Sequence, residues 1–117
     1  MKITLIAGAR PNFIKIAPII NALNHVNSGV KKIHYRIVHT GQHYDSSMSD
    51  TFFKELNIPE PDINLGCGGG TQAEQTAAIM IAFEKELTAN PTDLVVVVGD
   101  VTSTMACSIV AKKLNTK

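Results

Sequence analysis

Only two cysteines, Cys67 and Cys107, occur among the 117 residues. That excludes a disulfide framework and makes a reducing cytoplasm the easier home. Charge of one dominant sign is missing too: 11 Lys and Arg stand against 10 Asp and Glu, a formal net of +1. No strong field therefore exists to hold a nucleic-acid backbone or an anionic membrane. No apolar stretch approaches the roughly 20 residues needed to cross a bilayer. The opening MKITLIAGAR has a short apolar run, but Arg10 interrupts it too early for a signal peptide. Internal repeats, low-complexity tracts and linkers are absent. With 44% hydrophobic and 18% charged residues the chain is too apolar for disorder. Its length suits one domain with a single core, and a soluble intracellular domain is expected.

What is present alternates between two periodicities. Residues 2–8 form a β-rich apolar run ending in glycine and read as a buried strand. Pro11 then stands where a helix can begin, and Phe13, Ile14, Ile16, Ala17, Ile20 and Leu23 follow at helical spacing. Pro18 inside that pattern predicts a kink or a distorted turn. Residues 32–41 alternate as a strand with Ile33, Tyr35 and Ile37 on one face and His34, Arg36 and Val38 on the less apolar face. A helix is expected over residues 46–56, with Met48, Phe52, Phe53 and Leu56 on one side, and a short strand over 63–65. The run GCGGG at 66–70 is a loop. A long helix over 71–90 should bury Ala73, Ala77, Met80, Phe83 and Leu87 before Pro91 stops it. Four successive valines within residues 93–100 describe a strand covered on both faces, hence central in a parallel sheet. Thr102 or Ser103 can cap a last helix carrying Met105, Ile109, Val110 and Leu114. The order βαβαβαβα predicts an α/β, doubly wound parallel sheet of Rossmann-like type.

Such sheets bind ligands at the carboxyl ends of their strands. Three loops there carry chemistry: residues 8–11, 41–45 and 99–104. In the first, Arg10 and Lys15 flank a helix N-terminus and suit an anion, or else they are solvated charges on an outer face. GGGTQA at 68–73 matches a dinucleotide fingerprint, but its strand is too short and no acidic residue follows about 20 positions on. A flexible glycine loop is the better reading. His39 and His43 straddle a strand end without the spacing of a zinc site. Either one packs on the sheet while the other faces solvent, or Gln42 and His43 hydrogen-bond a polar ligand. Asp100 is a helix-capping aspartate or a partly desolvated carboxylate suited to acid–base work. Cys67, in a loop without basic neighbours, and Cys107, on an apolar helix face, read as inert.

Five strings together resemble the non-hydrolysing UDP-N-acetylglucosamine 2-epimerases: GARPNFIKIAP at 8–18, TGQHYD at 40–45, LNIPEPDINL at 56–65, GGGTQAEQTA at 68–77 and GDVTST at 99–104. Their order makes the resemblance specific. It implies two Rossmann-like domains facing across a cleft, the glycosyltransferase-B (GT-B) architecture. It implies an isomerase interconverting UDP-N-acetylglucosamine and UDP-N-acetylmannosamine for polysaccharide biosynthesis, acting as a cytoplasmic homodimer without metal or nicotinamide cofactor. Carried onto this chain, Arg10 and Lys15 contact the substrate near its diphosphate, and Asp100 lies at the sugar as an acid–base residue. Gln42 and His43 line the same cleft. The implied route eliminates UDP from sugar carbon 1 as carbon 2 loses its proton, then re-adds UDP and delivers the proton to the opposite face.

The resemblance also implies parts that these residues lack: an HVEAGLR-like segment bearing a catalytic glutamate, a second glutamate, a histidine and the uridine-binding domain. Residues 1–117 are therefore expected to be an amino-terminal domain, truncated, that neither epimerises nor binds nucleotide tightly by itself. Val101 stands where threonine is frequent, with no functional loss expected. The competing readings are a hydrolysing epimerase or glycosyltransferase of the same architecture, and a non-catalytic phosphate-binding or interaction domain.

Overall fold

The computed structural model describes residues 1–30, 32–43, 48 and 50–117. Four strands and four helices alternate along them: β1 (Lys2–Ala7), α1 (Arg10–Asn27), β2 (His34–His39), α2 (Asp50–Glu55), β3 (Ile63–Asn64), α3 (Gln72–Ala89), β4 (Leu94–Val96) and α4 (Thr102–Lys113). The strands form one sheet in the order β3-β2-β1-β4, and every pair is parallel. The expected α/β, Rossmann-like class is the class observed. After β3 the chain crosses to the other side of β1. The change of direction between β1 and β4 opens a crevice at their carboxyl ends, which is where such sheets hold ligands.

Alternation along the strands divides the core into two layers. Ile3, Leu5, Ala7 and Ile37 face α1 and α2, where they meet Phe13, Ile16, Ala17, Ile20, Phe52 and Phe53. Ile6 and Val38 face the other way, onto Ile79, Phe83, Leu87, Ala106, Cys107 and Val110 of α3 and α4. The less apolar face of β2 falls in this second layer, where Arg36 pairs with the buried carboxylate of Glu86. Phe13 is an aromatic hub, with ring centroids 5.3 Å from Phe53 and 6.3 Å from Phe52 in edge-on geometry. Among the described residues no helix is long and apolar enough to cross a membrane.

Several local expectations are corrected. β4 is short, half-buried and lies at the edge of the sheet, not its centre. The four valines at 95–98, of which the last two lie past β4, do reach both layers, Val95 and Val97 packing on one and Val96 and Val98 on the other. Beyond β1 no described strand pairs with it, and the Val95 N–H donates to the Lys117 carbonyl instead. Helix α3 buries Gln75, Ile79, Phe83, Glu86 and Leu87, while Ala73 and Ala77 are exposed. The stripe is rotated because Gln75 and Glu86 have polar partners inside. Helix α4 exposes Met105 and Ile109, with Leu114 exposed just past its end, and buries Ser103, Ala106, Cys107, Val110 and Ala111, whose small side chains allow close packing on α3. Helix α1 continues through Pro18, which sits on its exposed side. The expected start of the second helix at Ser46 lies outside the described residues.

Candidate active site

Three βα loops meet at the crevice. In the first, the buried Asn12 turns its side-chain carbonyl back to accept the N–H groups of Gly8 (2.9 Å) and Ala9 (3.1 Å). Pro11 has no N–H, and the Asn12 N–H donates to the Ala9 carbonyl. Few backbone amides are left there for an anion, so the cationic side chains must do most of that work. The Arg10 guanidinium lies 4.6 Å from the centroid of the Phe52 ring, a cation–π contact that holds its stem against α2. Lys15 is exposed one turn further on, and a Cβ built on Gly99 would lie 3.6 Å from its Nζ. The first and fourth loops thus bring Lys15 alongside the Gly99–Asp100 backbone.

Gly8 owes its identity to close approach. A Cβ there would lie 2.2 Å from Ser103 Oγ and 3.0 Å from Thr40 Oγ1. Gly99 combines a φ of +81° with a virtual Cβ 2.9 Å from Asn12 Nδ2, so both conformation and space demand glycine.

In the second loop the His43 N–H donates to the Gly8 carbonyl at 2.9 Å, and the imidazole is exposed. Gln42 is only 7% exposed. Its amide oxygen accepts from both the N–H (2.9 Å) and the hydroxyl (2.6 Å) of Ser103. Its amide nitrogen stands 3.3 Å from His43 Nε2. Gln75 in α3 supports the same residue, donating to the Gln42 carbonyl at 3.2 Å. The remaining residues of that loop motif, 44 and 45, lie outside the described residues.

Asp100, in the fourth loop, is exposed and does not cap α4; Val101 occupies the cap position and contributes no side-chain bond. The partial desolvation expected of Asp100 is not seen: its side chain is exposed. Of the two residues offered by the sequence as caps, Thr102 is the first residue of the helix and Ser103 faces inward, as does its neighbour Thr104. Ser103 joins Gln42 and Thr40, and Thr104 Oγ1 donates to the Val98 carbonyl at 2.9 Å.

His39 is the histidine that packs on the sheet, edge-on to Phe13 with centroids 5.1 Å apart. Its Nδ1 is 3.2 Å from the Ala7 carbonyl and 3.1 Å from the Gly41 N–H, while its Nε2 is buried without a partner. Burial depresses its pKa, and the bond to Ala7 opposes that in part. The glycine run ends in a local capping box: Thr71 Oγ1 accepts from the Glu74 N–H and Glu74 returns the bond to the Thr71 N–H, both at 3.1 Å. That run follows the two-residue edge strand β3 and packs against the Gly41 backbone, which fits a glycine loop and not a dinucleotide turn. Burial pushes both thiols up, Cys107 to about 12, as inert cysteines require. Among the described residues no three His, Cys, Asp or Glu side chains gather to hold a metal ion.

Sequence reasoning missed Asn12, Thr40 and Gln75, which position the loops, and read Ser103 only as a cap of its own helix. Only Asn12 left a trace, as a polar residue at the third helical position where a side chain can reach back to the cap.

A family model described as UDP-N-acetylglucosamine 2-epimerase matches residues 27–117. A UDP-N-acetylglucosamine 2-epimerase of Methanocaldococcus jannaschii is 46% identical over 97% of this chain and 30% of its own length. A UDP-2,3-diacetamido-2,3-dideoxy-D-glucuronate 2-epimerase of Pseudomonas aeruginosa is 40% identical over 98% of this chain and 31% of its own. The crystal structure of the M. jannaschii UDP-GlcNAc 2-epimerase with UDP-GlcNAc and UDP superimposes with a TM-score of 0.88, at 44% identity, covering 98% of this chain and 30% of that one. The chain spans about 30% of the length of these relatives.

Proposed function

Because this chain belongs to the UDP-N-acetylglucosamine 2-epimerase family, we propose that it is the amino-terminal half-domain of a UDP-N-acetylglucosamine 2-epimerase. A carboxyl-terminal UDP-binding domain would close the other side of the cleft. The observation that carries the reading is the approach of Lys15 to the Gly99 backbone beside Asp100 at the β1–β4 crevice, with Arg10 at the start of the same helix. Carbon 2 of the sugar has no neighbouring carbonyl, so its proton is weakly acidic and a simple carbanion is a poor intermediate. Expelling UDP from carbon 1 as that proton leaves avoids the carbanion. It requires cations where diphosphate charge grows, the role of Arg10 and Lys15. Inversion at carbon 2 needs acid–base groups on both faces of the sugar. Asp100 supplies one from this half, and a carboxylate from the rest of the protein supplies the other. Closure of the second domain over Asp100 desolvates it and tunes it for proton transfer. His43 lines the cleft, with Gln42 behind it.

The reading extends to a cytoplasmic homodimer serving polysaccharide biosynthesis. Two free, buried cysteines agree with a reducing compartment. The exposed apolar Ile81, Met105 and Ile109 on α3 and α4 offer a surface for a second copy. The P. aeruginosa relative supports a second substrate reading, a UDP-linked 2,3-diacetamido uronate, under the same chemistry.

The test is to express the natural reading frame to its own stop and incubate it with UDP-N-acetylglucosamine in D2O. The expected product is UDP-N-acetylmannosamine carrying deuterium at carbon 2, seen by proton NMR. A folded protein that leaves this sugar unchanged but epimerises the diacetamido uronate selects the second reading. One that transforms neither overturns the assignment. Residues 1–117 alone are expected to show no turnover.

A further inference from the structure

The segment that carries Asp100 is held at its start by Thr104 and Asn12 and at its end by Gln42. At its start, the Val98 carbonyl accepts from Thr104 Oγ1 at 2.9 Å and lies 3.4 Å from Asn12 Nδ2. At its end, the Ser103 N–H and hydroxyl both donate to Gln42 Oε1, at 2.9 and 2.6 Å. Ser103 is 1% exposed, and its hydroxyl also sits 2.7 Å from Thr40 Oγ1. Helix α4 has no cap of its own, so its second amide takes an acceptor 61 residues away in sequence. A buried amide oxygen in that place fixes both the start of the helix and the backbone leading into it. Gln42 also reaches forward, its amide nitrogen donating toward His43 Nε2.

We propose that Gln42 is a positioning residue, a remote cap of α4 that sets where Asp100 stands at the crevice beside Lys15. It acts through Ser103 and not by touching the substrate. The role rests on the epimerase reading above. The diphosphate seat belongs to Arg10 and Lys15, so loss of Gln42 should disturb proton transfer and leave nucleotide binding alone.

The experiment compares wild type, Gln42→Leu, Ser103→Ala and the double variant in the full-length protein, with UDP-N-acetylglucosamine as substrate and UDP as binding probe. Gln42→Leu is expected to lower kcat at least tenfold while the Kd for UDP stays within twofold. Ser103→Ala removes only the hydroxyl bond and should cost less, about threefold. The double variant should match Gln42→Leu, because both changes break one unit. A raised Kd with kcat intact would show direct ligand contact and overturn the proposal, as would additive effects of the two substitutions. Gln42→Glu keeps an acceptor for Ser103 and should fall between wild type and Gln42→Leu in kcat. If the leucine variant does not fold, a Gln42→Glu kcat no better than Ser103→Ala with raised Kd counts against the role. Amide exchange separates this idea from the enzymatic one. If wild type leaves the sugar nucleotide unchanged, the epimerase reading fails. The brace still predicts faster exchange at Ser103 in the Gln42 variants and no change at Glu74 in α3. Unaltered exchange at Ser103 sinks the brace itself.

Discussion

Helices α3 and α4 lie side by side on one face of the sheet, yet they begin in opposite ways. The first turn of α3 is closed locally, by the reciprocal bonds of Thr71 and Glu74 three positions apart. The first turn of α4 is closed from a distance, by Gln42 in the β2–α2 loop. A local cap forms with its helix and needs nothing else. A remote cap exists only once the sheet has brought the two loops together. The self-capped helix follows β3 at one edge of the sheet, and the remotely capped one follows β4 at the crevice. Helix position at the candidate site is therefore a property of the assembled edge.

The largest way to sharpen this contrast is at the chemistry. In the full-length protein Asp100→Asn should lower kcat about a thousandfold, the middle of the range for loss of a general acid–base group. Deuterium incorporation at carbon 2 should fall in parallel. Lys15→Met should act mainly on binding, weakening UDP by tenfold or more in calorimetry, and the loss should shrink as salt is raised.

Next is the contact that lets the remote cap form. Gly8→Ala places a methyl group on Ser103 and should destabilise the protein by about 3 kcal/mol in denaturant titration. Ser103→Gly on that background removes both offending atoms and should recover part of the loss. Equal destabilisation with and without Ser103 would mean the clash is relieved elsewhere. The local cap gives a smaller and cleaner result. Thr71→Ala should cost about 1 kcal/mol and leave kcat untouched. A fall in turnover with Thr71→Ala would break the division between the two helix starts.

The mildest effect is one of pH. Burial holds His39 below its ordinary value of 6.5, so the unfolded chain takes up a proton before the folded one does. Stability contributed by neutral His39 is thus complete above about 6.5 and declines as the pH falls below it. His39→Phe should flatten the acid side of a plot of Tm against pH, and an unchanged slope would assign that side to other groups.

Much of the fold is legible in the order of residues because it depends on local rules. Strand and helix periodicities, the alternation of β2 and the break at Pro91 are one-dimensional patterns. The misread stripes have a common cause. Helical spacing in α3 favours Ala73 and Ala77, but the buried positions are those whose polar groups have partners, Gln75 on Gln42 and Glu86 on Arg36. Four valines in a row announce burial on two faces and say nothing about which strands flank them. In the site, Arg10, Lys15, His43 and Asp100 stand out by charge and loop position. Asn12, Thr40 and Ser103 do not, since a buried hydroxyl or amide looks like any surface polar residue until its partner is known.

The sequence by itself determined the alternating α/β order, the two apolar layers, the loops that carry charge and the family to which the chain belongs. These follow from spacing and from short strings whose meaning is local. Only the tertiary structure decided that β4 lies at the edge, that Gln42 turns inward as a cap and that Gly8 must lack a side chain because Ser103 stands over it. Each of those depends on atoms tens of residues apart coming within hydrogen-bonding or van der Waals reach, a distance that no reading along the chain contains.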